Sequence, residues 1–221
     1  MSRPTLVIAN KAYSSWSMRA WLALKATGAL FDEVYVPLDQ PGTRERILRY
    51  SPSGLVPCLI DGDVAVWESL AIGEYLAERY PNAGLWPAFV KARAHARAIS
   101  AEMHAGFGAL RRLMPMNVRA VAPKRPIDDP ALKADIARIE TLWADTQARF
   151  GAGGPYLFGK YSLADAMYAP VVTRFTTYQM PLGPAATAYM QAIHAHPHVM
   201  EWIQGAKAEP ERIEKYEALA R

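Results

Sequence analysis

The positions of the apolar residues divide the chain into a strand-containing part and a helical part. Short runs rich in Val, Ile and Leu predict four strands, at residues 5–9, 33–38, 56–60 and 64–66. Helical spacing of apolar residues predicts three helices among and after these strands, at 17–27, 43–50 and 68–80. The order βαβ–α–ββ–α indicates a small α/β domain in which the first two strands pair in parallel.

After residue 82 the strand pattern disappears and only helical spacing continues. An Ala-rich pattern predicts one long helix over 89–119, bent near Pro115. Four further helices are predicted at 130–150, 162–178, 187–194 and 199–208. Ser162 and Asp165 have the spacing of a capping box at the start of the second of these four.

Turn-forming residues at 81–87 mark the boundary between the two parts. We therefore predict an α/β domain over 1–82, a linker over 83–88 and an all-α domain over 89–221.

Composition narrows the classes of function. The formal net charge is +4, and the basic residues are scattered, so no nucleic-acid partner is expected. No apolar stretch approaches the ~20 residues that span a bilayer, so no membrane partner is expected either. Cys58 is the single cysteine, which excludes an intrachain disulfide and a cysteine metal cluster and suits a reducing cytoplasm. No metal site is expected.

Hydroxyl side chains stand at the start of the first predicted helix, in the segment 12–19. A serine hydroxyl there can donate a hydrogen bond to a thiolate, which stabilises the charged form and lowers the pKa of the thiol. Ser14 and Ser15 both have suitable positions. The alternative is that one of them only caps the helix.

Two further features are typical of a site for a small charged peptide. Val56 and Pro57 interrupt a strand-forming run, and a cis peptide bond there would leave the Val56 backbone free to pair with a peptide main chain. The alternative is an ordinary proline at a sheet edge. Glu68 and Ser69 begin a helix. The Glu68 carboxylate there suits the ammonium group of a ligand, and the hydroxyl and N–H groups at Ser69 suit a ligand carboxylate. The alternative is a simple helix cap.

Taken in order, these segments resemble the cytosolic glutathione S-transferase family over nearly the whole chain. The resemblance rests on Ser14-Ser15-Trp16-Ser17-Met18-Arg19, on Leu55-Val56-Pro57, on Glu68-Ser69-Leu70-Ala71-Ile72 and on the segment 159–165. The last segment is similar to the family's folding box, in which the residue matching Asp165 caps a core helix. The serine-rich start is most similar to the zeta class and related bacterial members. The resemblance implies a thioredoxin-like N-terminal domain followed by an all-helical C-terminal domain.

The resemblance also implies a glutathione site. Ser14 would stabilise the glutathione thiolate, with the adjacent Ser15 as the alternative. Val56, followed by a cis Pro57, would pair with the cysteinyl main chain, and Glu68 and Ser69 would bind the γ-glutamyl end. Arg44 would meet the glycyl carboxylate. The electrophile would lie between the domains, near Met103, Phe107, Leu110, Arg111, Met114 and Tyr168.

The implied activity is conjugation of the glutathione thiolate to small hydrophobic electrophiles, a detoxification reaction, by a cytoplasmic homodimer. One alternative is a zeta-type glutathione-dependent cis-trans isomerase acting on a maleylacetoacetate-like substrate. Trp16 stands where the zeta pattern has a cysteine, which weakens that alternative. The other alternative is a binding module that has the fold but catalyses no reaction. Ser14 and Ser15 argue against this alternative, because such modules often lack the activating hydroxyl.

Overall fold

The computed structural model describes residues 3–123 and 128–219, so the extreme ends of the predicted domains lie outside the described residues. The described residues contain four strands, namely β1 (Thr5–Ile8), β2 (Asp32–Tyr35), β3 (Cys58–Asp61) and β4 (Val64–Trp67). They form one mixed sheet in the order β2-β1-β3-β4. β1 and β2 pair in parallel, and the other pairs are antiparallel. The four predicted strands and the parallel first pair are confirmed, with shifted ends.

Three helices cover the two faces of this sheet, namely α1 (Ser15–Ala26), α2 (Thr43–Leu48) and α3 (Ser69–Arg79). Side chains alternate between the faces of a strand. Leu6 and Ile8 of β1 accordingly join the core that α1 and α3 complete. Val7 packs with Ile47 of α2 in a separate cluster on the opposite face. This is the thioredoxin-like arrangement expected of the N-terminal domain.

A turn of 3-10 helix at Pro81–Ala83 is followed by seven helices in the part of the chain that the structure describes. They are α4 (Val90–Ala105), α5 (Gly108–Leu113), α6 (Pro130–Phe150), α7 (Leu163–Thr177), α8 (Pro184–Ala195), α9 (Pro197–Ala208) and α10 (Glu214–Leu219). α7 is buried along nearly its whole length and packs against α1 on one side and α4 on the other. It therefore joins the helical domain to the sheet domain. The exact domain bounds stay a prediction.

The single long helix predicted over 89–119 is wrong. α4 ends at Ala105, where Gly106 has extended backbone and Phe107 adopts a left-handed φ of 59°. The break comes before Pro115, because the Arg111 guanidinium donates to the carbonyl oxygens of Met103, His104 and Gly106 and so satisfies the end of α4. The helix α10 was not predicted either.

The capping box at the start of α7 is confirmed. The buried Asp165 carboxylate accepts hydrogen bonds from Ser162 N at 2.8 Å, Ser162 Oγ at 3.0 Å, Leu157 N at 3.1 Å and Tyr189 Oη at 3.0 Å. Burial raises the pKa of this carboxyl to about 6, against the lowering effect of these four donors. Asp165 thus ties the loop before α7 to α8. Within the described residues no helix is long and apolar enough to cross a bilayer.

Candidate active site

A cavity of about 320 Å³ opens where the start of α1 faces the helical domain. Its walls come from the loop before α1, the turn before β3, the region of α5, α7 and the C-terminal helix α10. Ser14, Ser15 and Val56 line it, as do the guanidinium side chains of Arg111 and Arg174. The sequence-predicted serines and valine therefore meet in one cavity.

Ser14 is the N-cap of α1, and its hydroxyl both accepts and donates a hydrogen bond. Its Oγ accepts a hydrogen bond from Ser17 N at 3.3 Å and donates one to Ser17 Oγ at 2.8 Å. Ser17 Oγ in turn accepts from Ala9 N at 3.1 Å, which ties α1 to the end of β1. The hydroxyl proton of Ser14 is thus already used within the first turn of the helix.

Ser15 has a different environment, although it is equally buried. Its Oγ accepts a hydrogen bond from Arg174 Nη2 at 3.2 Å. Among the described residues no acceptor takes the Ser15 proton. A positive donor on a hydroxyl oxygen polarises the O–H bond, so Ser15 has a proton available for an anion in the cavity.

Arg174 is fully buried on α7. Its Nε donates to Met114 O at 2.9 Å and its Nη1 to Pro170 O at 3.2 Å, which fix the plane of the guanidinium. Burial, with the nearby charge of Arg111 as a smaller cause, lowers the pKa of Arg174 to about 10. The side chain is therefore still cationic at neutral pH and presents its Nη2 to Ser15.

Two further guanidinium groups lie over the Trp16 ring. Arg19 Cζ is 4.5 Å from the ring centroid of Trp16, and Arg111 Cζ is 5.1 Å from it. Arg19 is 1% exposed, and its Nη1 and Nη2 have no hydrogen-bond partner among the described residues. Burial lowers the pKa of Arg19 well below its usual range, with Arg174 and Arg111 adding to the effect. The Trp16 ring compensates part of this cost through cation–π contact.

A second cavity of about 240 Å³ adjoins the first and is lined by Val56, Pro57 and Glu68. The Val56–Pro57 peptide bond is cis, as expected. Glu68 precedes α3 with a left-handed φ of 69°, a conformation that costs a side-chain-bearing residue about 1–3 kcal/mol and is found most often at functional sites. Ser69 is 1% exposed, and its Oγ has no hydrogen-bond partner among the described residues.

Arg44 lines a third, open groove between α2 and the turn at residues 53–55. Its guanidinium lies directly over the backbone of Gly54, near enough that a Cβ there would meet Nη1 at 2.9 Å. The predicted serines, Val56, Glu68 and Arg44 therefore follow one another along a continuous surface of the sheet domain, since Leu55 lines all three hollows.

Only one of the six residues predicted for the electrophile pocket lines the main cavity. Arg111 does so. The other five are core residues with at most 7% exposure, namely Met103, Phe107, Leu110, Met114 and Tyr168. The apolar wall comes instead from Leu38, Pro115, Met116 and Tyr216. The resemblance therefore led to residues of the helical core at five of these six positions.

The C-terminal segment closes one side of the cavity, which the sequence did not indicate. Tyr216 lines the cavity, and its ring centroid is 5.3 Å from that of Tyr13. Tyr13 Oη donates to Glu217 Oε1 at 2.5 Å and accepts from Arg119 Nη2 at 2.6 Å. Burial and the hydrogen bond to Glu217 raise the pKa of Tyr13. Tyr13 is therefore committed to anchoring α10.

The Cys58 thiol does not line the main cavity. Cys58 is buried, and burial raises the pKa of its thiol. Across the part of the chain that the structure describes, no three His, Cys, Asp or Glu side chains are grouped to hold a metal ion.

Comparison with known proteins shows which family this chain belongs to. The glutathione S-transferase N-terminal domain model matches residues 13–79, and the corresponding C-terminal domain model matches residues 125–205. The chain therefore belongs to the glutathione S-transferase family, and its relatives support glutathione transferase activity at the level of the family.

Each of the three relatives described next is less than 30% identical to this chain. The chain is 29% identical over 189 residues to a maleylacetoacetate isomerase of Rattus norvegicus, covering 84% of each chain. It is also 29% identical to a zeta-class glutathione S-transferase of Euphorbia esula, covering 82% of this chain and 83% of that protein. A glutathione transferase homolog from Burkholderia, solved with bound glutathione, superposes with a TM-score of 0.71 at 24% identity over 94% of this chain and 100% of that one. The last likeness shows the shared fold.

Proposed function

We propose that this protein activates the glutathione thiol with Ser15, assisted by Arg174, and adds the thiolate to an electrophile in the main cavity. The observation that carries the proposal is the hydrogen bond from Arg174 to Ser15 Oγ at 3.2 Å. It leaves the Ser15 proton free for the sulfur, whereas the proton of Ser14 is donated to Ser17. Ser14, the first expectation, then serves as the helix cap.

In this proposal glutathione would lie along the three adjoining hollows. Its cysteinyl main chain would pair with the backbone of Val56, ahead of Pro57. The ammonium of the γ-glutamyl end would meet Glu68, and its carboxylate would meet the free hydroxyl of Ser69 at the start of α3. The glycyl carboxylate would lie near Arg44 in the third groove. The thiol then points toward Ser15 in the main cavity.

The electrophile would occupy the remainder of the main cavity, against Pro115, Met116 and Tyr216. This apolar wall suits small hydrophobic electrophiles. Attack by the thiolate forms a carbon–sulfur bond, and the leaving group departs with the electron pair of the bond that breaks. Binding the thiol and the electrophile in one cavity holds the reacting atoms in contact, which lowers the entropic part of the barrier.

The zeta-type isomerase is the second candidate, and the charge of the cavity favours it. Arg111 and Arg174 supply the cationic side chains of the wall, and Arg19 lies behind Trp16. Such a wall attracts an electrophile that carries a carboxylate near its reacting carbon. In this reaction the thiolate adds to a double bond, rotation follows, and the thiolate leaves unchanged. The isomerase relative from Rattus norvegicus is consistent with this candidate.

We further propose a homodimer, the usual assembly of the family. Val64 and Trp67 on the edge strand β4 are 40% and 42% exposed, and Phe89 and Val90 before and at the start of α4 are 62% and 66% exposed. These exposed apolar side chains, of which Val64 and Trp67 lie on opposite faces of β4, are candidates for contact with a second copy. Sedimentation at several protein concentrations tests this. The cytoplasmic location stays a prediction from the single cysteine.

The test of function compares two electrophiles on the purified protein with glutathione. 1-Chloro-2,4-dinitrobenzene is neutral and reports conjugation, and maleylacetone is anionic and reports isomerisation. Turnover of either supports thiolate activation, and their ratio distinguishes the two candidates. If glutathione binds and its thiol keeps the ordinary pKa of about 8.5, activation by Ser15 is wrong and the non-catalytic binding module is favoured.

A further inference from the structure

One side chain of the helical domain reaches the glutathione groove from the last turn of α4. His104 Nε2 lies 3.4 Å from Glu68 Oε2 at the start of α3. This contact joins the two domains beside the second cavity, which Glu68 lines. Nothing in the proposed chemistry of Ser15 requires His104, so the contact needs its own explanation.

The His104 ring is fixed from two sides. The Trp16 ring meets it edge-on, with centroids 5.2 Å apart and planes at 66°. The Arg111 guanidinium donates to the backbone carbonyl of His104 at 3.2 Å and so holds the end of α4. The His104 side chain is 25% exposed, whereas that of Glu68 is 52% exposed. The His104 side chain is therefore the one that its surroundings fix, and the contact restricts the more exposed side chain of Glu68.

The electrostatics determine which form of the imidazole faces Glu68. Burial is the main cause that lowers the pKa of His104, Arg19 on α1 and Arg111 on α5 lower it further, and Glu68 on α3 opposes them. The ring is accordingly neutral at physiological pH. His104 Nδ1 is buried without a hydrogen-bond partner among the described residues, which favours the proton on Nε2. At 3.4 Å from Glu68 Oε2, this nitrogen makes an electrostatic contact with the carboxylate rather than a close hydrogen bond.

We propose that His104 is a positioning residue for glutathione, which holds the Glu68 carboxylate in the orientation that receives the ammonium of the γ-glutamyl end. This inference rests on the proposed function, because it requires glutathione in the groove with its ammonium at Glu68. A neutral donor suits the task, since it orients the carboxylate without cancelling the negative charge that the ammonium needs. The left-handed backbone of Glu68 directs the side chain, and His104 restricts its remaining rotation.

The test uses two substitutions that carry the same side-chain amide and differ in length by one methylene. The side-chain amide of His104→Gln places an N–H donor near the position of Nε2, whereas His104→Asn is one methylene too short to reach Glu68. Binding of S-methylglutathione and of its analogue without the amino group, S-methyl-glutaryl-cysteinylglycine, is measured by calorimetry. We expect His104→Asn to weaken S-methylglutathione about three- to fivefold, the range of a partly exposed charged contact, and to leave the analogue unchanged. His104→Gln should retain most of the affinity.

Two controls complete the design. His95→Asn changes the same residue type on the same helix, but His95 contacts Thr146 within the helical domain and should alter neither ligand. In a Glu68→Ala background, which removes the carboxylate that His104 contacts, His104→Asn should have no further effect. Equal loss for both ligands in His104→Asn would indicate a structural role and overturn the inference. Unchanged binding of S-methylglutathione would also overturn it while leaving the proposed function intact, and failure of the wild type to bind it would overturn both.

Discussion

Arg174 Nη2 donates a hydrogen bond to Ser15 Oγ at 3.2 Å, across the boundary between the helical domain and the first turn of α1. The two residues are 159 positions apart along the chain. The contact gives two adjacent serines different chemistry, because Ser14 is used as a helix cap while Ser15 is polarised by a buried cation.

Replacement of Arg174 by lysine should lower kcat and leave glutathione affinity nearly unchanged. Lysine keeps a charge but loses the planar fork that contacts Met114 O, Pro170 O and Ser15 Oγ together. We expect kcat to fall roughly tenfold, which corresponds to loss of one charge-assisted hydrogen bond of about 1.5 kcal/mol. Arg149→Lys, on the exposed surface of α6, is the control. Equal kcat in wild type and Arg174→Lys would remove Arg174 from the mechanism.

Shortening Tyr216 to alanine should weaken the electrophile and spare glutathione. Tyr216 forms part of the cavity wall and is half-buried, so loss of its ring costs about 1.5 kcal/mol of apolar contact with the electrophile. Steady-state kinetics should show a KM for 1-chloro-2,4-dinitrobenzene raised roughly tenfold, with the KM for glutathione unchanged. Lys215→Ala removes an exposed ion pair with Asp39 and serves as the control. A raised KM for glutathione alone would place Tyr216 in the wrong part of the site.

Asp165→Asn should destabilise the fold without direct effect on the cavity. The carboxylate accepts four hydrogen bonds, two at each oxygen. An amide nitrogen in place of Oδ1 would face the donors Leu157 N and Tyr189 Oη, and in place of Oδ2 it would face Ser162 N and Ser162 Oγ. Leaving two buried donors unpaired costs about 2–4 kcal/mol, measured as a lower free energy of unfolding in urea. Asp145→Asn on the exposed face of α6 should cost less than about 0.5 kcal/mol. Similar small losses in both variants would contradict the capping role of Asp165.

His196 should contribute a loss of stability in acid. Burial, with His198 adding to it, lowers the pKa of His196 from 6.5 to about 4. Its ring stacks on Tyr161 with centroids 3.9 Å apart. The unfolded chain therefore binds a proton that the folded protein excludes, so stability from this group is present above pH 6.5 and is lost as the pH falls toward 4.

His196→Phe keeps the aromatic stack and removes the titration. The free energy of unfolding of this variant, relative to wild type, should be constant above pH 6.5 and should shift in favour of the variant as the pH falls to 4. Parallel pH curves for the two proteins would show that the proton of His196 is bound equally in both states.

The sequence predicted the features that depend on neighbouring residues. The strands follow from short apolar runs, and the capping box at Ser162 and Asp165 follows from three-residue spacing. The end of α4 could not be predicted, because it depends on Arg111 reaching back from the next helix. The choice between Ser14 and Ser15 likewise needs Arg174, which only the folded chain brings near. Short spacing therefore predicts local elements such as the capping box, while long-range contacts decide which of the two serines the proposal assigns to the thiolate.

The pKa of the bound glutathione thiol is the most direct test of the central claim, followed by thiolate absorbance in wild type, Ser14→Ala and Ser15→Ala. We predict a wild-type value well below the free thiol's value of about 8.5. Ser15→Ala should return it to within about half a unit of the free value, and kcat should fall roughly a hundredfold. Ser14→Ala should leave the pKa within about half a unit of wild type. A pKa that rises in Ser14→Ala and stays low in Ser15→Ala would contradict the account.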